Sequence, residues 1–252
     1  PEPARERTLY EEYVRLTHGA RVRRWITGEQ SPDTESTLAI RKILSPLLSD
    51  LDEIFLQDLG NVCESHTRDD LENRNKYPVS QPYGDEQETC NVQYIALVLR
   101  TVDLLQITKK RAPSIAFQLI NPTNPKSQIE WQKQNKVRAV RAQLKKNVDG
   151  EADSSMQADT IEVFAKFSET KAFFGLTSYL AYAERQIATS FALAETAKKE
   201  TANKYHYPWR FIDQASIETI GFLTESFEFK IDQHKILDLL TGHTLYNNSD
   251  VV

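Results

Sequence analysis

The residues that could do chemistry begin with one charge in an apolar helix. Residues 94–111 read YIALVLRTVDLLQITKKR. Ile95, Val98, Val102 and Leu105 recur at steps of three and four and lay an apolar stripe along a helix. Leu99, Leu104 and Ile107 widen the stripe until little of the middle is polar, the pattern of a helix enclosed in a core. Arg100 and Asp103 nonetheless sit at its centre. A carboxylate buried there needs a positive partner, because an unpaired one costs several kcal/mol. Asp103 is therefore expected to pair with a cationic side chain or to bind a metal. Two histidines upstream, His18 and His66, are candidate partners. His18 taken alone reads as a hydrogen-bonded, partly buried histidine. His66 stands at the end of a helical run, where with Cys63 it makes no zinc site for want of a second pair. Asp69, Asp70 and Glu72 follow His66 and read first as a solvated charge run.

The elements that must position these residues read as mainly helical. Residues 5–27 form a helix with Leu9, Tyr13, Leu16, Ala20 and Trp25 roughly on one side, closed by Gly28. Leu38–Leu59 give one or two helices broken at Pro46, since proline lacks a backbone donor. Residues 69–91 are expected to be a long surface loop. The helix carrying Asp103 is expected to end in the basic turn Lys109–Arg111, and IAFQLI (115–120) to be extended. A short helix starts at Ser127, with Glu130 as in a capping box.

The pattern changes near 136. VRAVRAQLK (137–145) and TIEVFAKFSE (160–169) alternate and predict a hairpin around a long tip. Residues 171–200 predict a long helix, 217–232 one or two strands, and HKILDLLTG a last helix behind Asp232. The expected fold class is mainly α with an α+β C-terminal part. It divides into a helical domain (1–135), an α+β coupling segment (136–232) and a linker helix (233–252).

Composition excludes several classes of function. The chain has 252 residues, 27% of them charged, and a net charge of −5, so no global basic field draws it to nucleic acid or anionic membrane. Basic patches at Arg21–Arg24, Lys109–Arg111 and Lys133–Arg141 have no interleaved aromatic residues, and nucleic-acid binding is not expected. No apolar run reaches the roughly 18 residues of a membrane helix. Cys63 and Cys90 are the only cysteines and have no metal-motif spacing, which suits a reducing, cytoplasmic setting. The chain starts Pro-Glu-Pro without Met and is expected to be part of a longer protein.

Several stretches together resemble a known family. YIALVLRTVDLL, KKRAP and the SQIEW that follows are similar to the later part of bacterial HD domains of the HD-CE type, fused upstream of GHKL (heat-shock-chaperone-like) ATPases. VRLTHGARVRRWI and CESH resemble that family's two histidine-bearing helices, and residues 225–252 resemble its linker into the ATPase. The resemblance implies an HD-like domain in which His18, His66 and Asp103 are metal ligands and Arg100 holds phosphate. The metal would be a divalent ion such as Mn, Fe or Mg, which imidazole and carboxylate donors suit. The first histidine and the His-Asp pair of the superfamily have no counterpart here and are expected upstream of residue 1. ATP and magnesium would belong to a domain downstream.

Two functions follow from the resemblance. One is a sensing and regulatory region of a bacterial GHKL-type ATPase in chaperone-like or antiphage defence work, with a small nucleotide or a protein as partner and homo-oligomers formed through the full-length protein. The alternative is a metal-dependent phosphohydrolase acting on nucleotide or nucleic-acid phosphates.

Overall fold

The computed structural model describes residues 2–29, 35–84, 88–110, 125–145, 149–151 and 158–224. Residues 115–120, most of the hairpin tip and everything from 225 onward lie outside them, and with them the expected segment IAFQLI, the last helix and the linker. Pro1–Ile220 cluster as one compact unit and Gly221–Val252 as another.

The first unit is mainly helical, with a small mixed sheet in its later part. Helices α1 (Glu2–Thr27), α2 (Glu35–Leu48) and α3 (Glu53–Ser65) come first. Gly28 closes α1 with φ 72°, its N–H bonded to the Arg24 carbonyl. The break expected at Pro46 falls after it: proline sits inside α2, and the chain restarts where the Asp52 carboxylate accepts from the N–H groups of Ile54 and Phe55.

The segment 69–91 is more structured than its polarity suggests. Tyr77 is fully enclosed and Leu71 nearly so. A two-stranded antiparallel ribbon follows, β1 (Gln81–Tyr83) with β2 (Glu88–Cys90). Asn91 then caps α4 (Val92–Leu105), accepting from the Tyr94 N–H.

Helix α4 ends earlier than its apolar pattern predicts. Gln106 leaves helical geometry (φ −79°, ψ 59°), and the Lys109 N–H bonds to the Val137 carbonyl at the start of the sheet. A tertiary strand-type bond thus replaces the expected last turn, and the basic residues 109–110 lie outside the helix.

The later part is built on β4. Helix α5 (Pro125–Lys136) leads into β3 (Val137–Ala142), which pairs antiparallel with β4 (Thr160–Phe167). The other edge of β4 takes two short parallel strands in tandem, β5 (Phe211–Asp213) and β6 (Ile217–Thr219). Burial along β4 alternates strictly, with Ile161, Val163, Ala165 and Phe167 inside. Helix α6 (Thr170–Ala197) supplies the opposing stripe of Phe173, Leu176, Leu180, Ala183 and Ile187. The hairpin and the long helix match the sequence reading. β5 falls between the stretches read as the long helix (171–200) and as strand (217–232), because three residues are too few to show a period.

Hydrogen bonds tie α4 to this later part. Tyr179 Oη donates to the Leu104 carbonyl (2.8 Å), and Tyr94 Oη to the His206 carbonyl (2.8 Å). The buried hydroxyls of Thr101 and Tyr207 meet at 2.5 Å. Burial pushes the Tyr207 phenol up to about 12, although its hydrogen bonds with Thr101 and Ser190 pull the other way.

Candidate functional site

The site is organised by the crossing of α1 and α3. Gly19 faces Thr67 and the Glu64 carbonyl, while Gly60 faces Arg23 and Thr27. Contacts that advance along α1 as they retreat along α3 define an antiparallel pair. A Cβ on Gly19 would lie 2.6 Å from Thr67 Oγ1, and one on Gly60 2.9 Å from Thr27 Cγ2. Both helices are therefore closer than side chains at these positions would allow. The side of α1 that meets α3 runs through Gly19, Arg23 and Thr27; of the expected stripe, Leu9, Tyr13 and Leu16 are exposed, while Ala20 and Trp25 are half-buried.

This close crossing brings His18 and His66 together. Their Nε2 atoms lie 2.8 Å apart, with ring centroids at 4.9 Å and planes tilted by 51°. His18 Nδ1 is 2.7 Å from the Arg15 carbonyl. A carbonyl only accepts, so Nδ1 carries the proton and the His18 Nε2 lone pair faces His66. With both rings neutral and no ligand present, His66 Nε2–H would donate into that lone pair. Both rings are half-buried, at the end of α3 and the middle of α1.

The arrangement fits two adjacent ligands of a divalent ion. Two nitrogens each about 2.1 Å from one ion and at right angles to each other lie about 3.0 Å apart, close to the observed spacing. The backbone bond at His18 Nδ1 is the kind of second contact that orients metal-binding imidazoles. Among the described residues, however, no group of three or more His, Cys, Asp or Glu side chains is placed to hold a metal. His18 and His66 converge; Asp103 does not join them in such a cluster.

The buried charge of α4 is Arg100, not Asp103. Asp103 is half-buried in the last turn, whereas Arg100 is 6% exposed. Arg100 Nη1 donates to the Arg68 carbonyl (2.7 Å) and Nη2 to Asp69 (2.8 Å). This answers the burial problem differently from the sequence reading. The expected stripe is not the buried face, since Ile95 is 43% and Val102 57% exposed. The face that α4 does bury, Val92, Ala96, Leu97, Thr101 and Leu104, carries the cation, which reaches out to an aspartate that is 90% exposed. The same contacts hold α4 against the residues that follow His66. Asp69 and Asp70 are thus ion-pair partners, Asp70 bonding Lys76 Nζ (2.9 Å) and Tyr77 Oη (3.1 Å).

Arg100→Ala is expected to cost about 2 kcal/mol through the vacated volume and the unpaired carbonyl. Asp69→Ala should cost under about 1 kcal/mol, because that carboxylate is in water. Chemical denaturation of the two variants separates these values, and equal losses would contradict the assignment.

A second network was missed in the sequence. Glu64 is 7% exposed at its side chain and accepts from Arg68 on Oε1 and from Lys76 on Oε2 (3.2 Å). Arg23 lies 4.0 Å away. Burial alone would raise the Glu64 carboxyl, but the bonds and charges of Arg68 and Lys76 outweigh it and hold it below the usual range. Asp58, Asn61 and Glu64 recur at three-residue steps, a polar stripe along α3 that pattern analysis could have found, and Arg68 follows just past the helix end.

An imidazole pair held by two crossed helices, with α4 packed against α3 behind it, is the centre of the helical part of the chain. The HD-CE family model matches residues 1–189, and the chain belongs to that family. The matched region includes the β3–β4 hairpin and runs well into α6. No curated protein and no solved structure matches the chain. Among the described residues, no helix is long and apolar enough to cross a membrane.

Proposed function

We propose that this HD-type domain is a sensing and regulatory region that takes a divalent ion, or a phosphate ligand carried by one, at His18 and His66. The Nε2–Nε2 approach of 2.8 Å, with His18 locked by the Arg15 carbonyl, carries the reading. The bound ion would supply positive charge for a phosphate group. His18 and His66 would orient it, while Arg100, committed to Asp69 and the Arg68 carbonyl, would hold α4 in place. The bonds from α4 to Tyr179 and Tyr207 offer a route to the mixed sheet. Residues 225–252 resemble a linker into a GHKL ATPase, so ligand binding would regulate that activity, in chaperone-like or defence work. The donor chemistry of the imidazole pair also favours a second reading, a metal-dependent phosphohydrolase.

The test uses the full-length protein with Mn²⁺. Titration calorimetry should show binding that weakens by about 100-fold or more in His18→Ala and His66→Ala. An Asp103→Ala variant reports whether that carboxylate belongs to the same centre. ATP turnover that changes severalfold in His66→Ala supports regulation; metal-dependent phosphate release from nucleotides with unchanged ATP turnover supports the hydrolase. If both histidine variants bind Mn²⁺ like wild type, the site is wrong.

A further inference from the structure

A buried carboxylate short of a cation does exist in this chain, and it is Asp58. It lies on α3, 9% exposed, with Oδ2 accepting from Tyr83 Oη at 2.6 Å. Among the described residues that is its one hydrogen bond, and no ion pair involves it. Burial pushes its carboxyl above the usual range, against the pull of the Tyr83 bond.

Asp58 lines an open cleft of about 560 Å³ between α1, α3 and the turn at 73–76. Every residue that lines it is polar or charged, and four side-chain amides belong to it: Gln57, Asn61, Asn73 and Asn75. Three cations also line it, and each is already engaged. Arg23 clamps Glu29 with two bonds of 2.7 and 2.6 Å, Arg68 holds Glu64, and Lys76 bridges Glu64 and Asp70. An anionic ligand would have to displace those carboxylates. A polyol or sugar would leave Asp58 without a counter-charge. A positively charged ligand would compensate it directly, with Gln57 and Asn75 taking its remaining donors. Asn61 already bonds Arg23 and the Lys76 carbonyl, and Asn73 already accepts from the backbone N–H groups of Asn75 and Lys76.

We propose that this cleft binds a primary ammonium group, with Asp58 as its anionic anchor and Gln57 and Asn75 at its rim. The amine can be free or carried on a lysine side chain. The site is separate from the His18–His66 pair.

The test titrates spermidine, lysine capped at both backbone ends, glucose and inorganic phosphate into the 252-residue chain by calorimetry. Spermidine or capped lysine should bind saturably, and the better of the two identifies the source of the amine. Asp58→Asn should weaken that binding by about 30-fold or more, since it removes one partner of an enclosed charge pair. Tyr83→Phe keeps the charge and should change affinity by less than about 3-fold. His18→Ala should leave it unaltered. Circular dichroism confirms that Asp58→Asn is folded; if it is not, the double variant Gln57→Ala/Asn75→Ala, which removes two rim side chains, should weaken binding measurably. Absence of saturable amine binding, equal binding by Asp58→Asn or by the double variant, or preference for glucose or phosphate each overturns the proposal.

Discussion

Replacing Gly19 with valine is expected to destabilise the protein by about 3 kcal/mol and to separate the two histidines. The new Cβ meets Thr67 Oγ1 at 2.6 Å, Thr67 Cγ2 at 3.1 Å and the Glu64 carbonyl at 3.3 Å. Thr67 cannot swing away freely, because its hydroxyl donates to that same carbonyl (2.8 Å). Helix α1 must therefore move off α3, and His18 is the adjacent residue. On an open helix surface, Gly→Ala gains about 1 kcal/mol of propensity. Here even Gly19→Ala should lose stability, and Gly19→Ala/Thr67→Ala should recover part of it, since the nearest obstructing atoms are gone. Urea denaturation measures the stabilities, and nitrogen shifts of the two imidazoles report the pairing. A fully stable Gly19→Val with an intact pair would refute the close-crossing account.

What the sequence made legible follows from local period. Helix α6 and β4 carry long runs of 3.6 and 2.0 periodicity, so their burial could be read residue by residue. His18-Gly19 and the helix-end His66 were legible by resemblance, and the geometry places their Nε2 atoms in contact. The assignment of buried charge was not legible. Arg100 and Asp103 lie one turn apart in the same apolar stretch, and periodicity alone does not say which is enclosed. The answer depends on Arg68 and Asp69, residues of a different segment that meet Arg100 only after folding. The end of α4 was hidden for the same reason: its pattern continues through Ile107, but a backbone bond to Val137 competes and wins.

The exposed stripe on α1 makes a related point. Leu9, Tyr13 and Leu16 look like a buried face, yet they are 61%, 56% and 65% exposed. The face that α1 buries against α3 runs through Gly19, Arg23 and Thr27, residues chosen for closeness and hydrogen bonding rather than apolarity. Hydrophobic counting favours large side chains, whereas helices this close must present small ones at the crossing.

Glu64→Ala should be among the costliest single changes outside the apolar core, at about 2–3 kcal/mol near neutral pH. Its carboxylate is enclosed and bridges Arg68 and Lys76, with Arg23 near, so truncation removes the counter-charge that three cations share. Arg68 is half in water and contributes less than the better-covered Lys76. The loss must depend on pH with a definite sign. The folded carboxyl sits below the ordinary glutamate value of 4.5, so its stabilisation is complete above that value and fades as acid titrates the folded group. The gap between wild type and Glu64→Ala should therefore be widest at neutral pH and close progressively below pH 4.5. Denaturation midpoints across that range decide it. A gap that stays constant into acid would mean that Glu64 acts through its volume alone, and that the polar stripe of α3 is packing rather than an electrostatic tie between α1, α3 and the turn carrying Lys76.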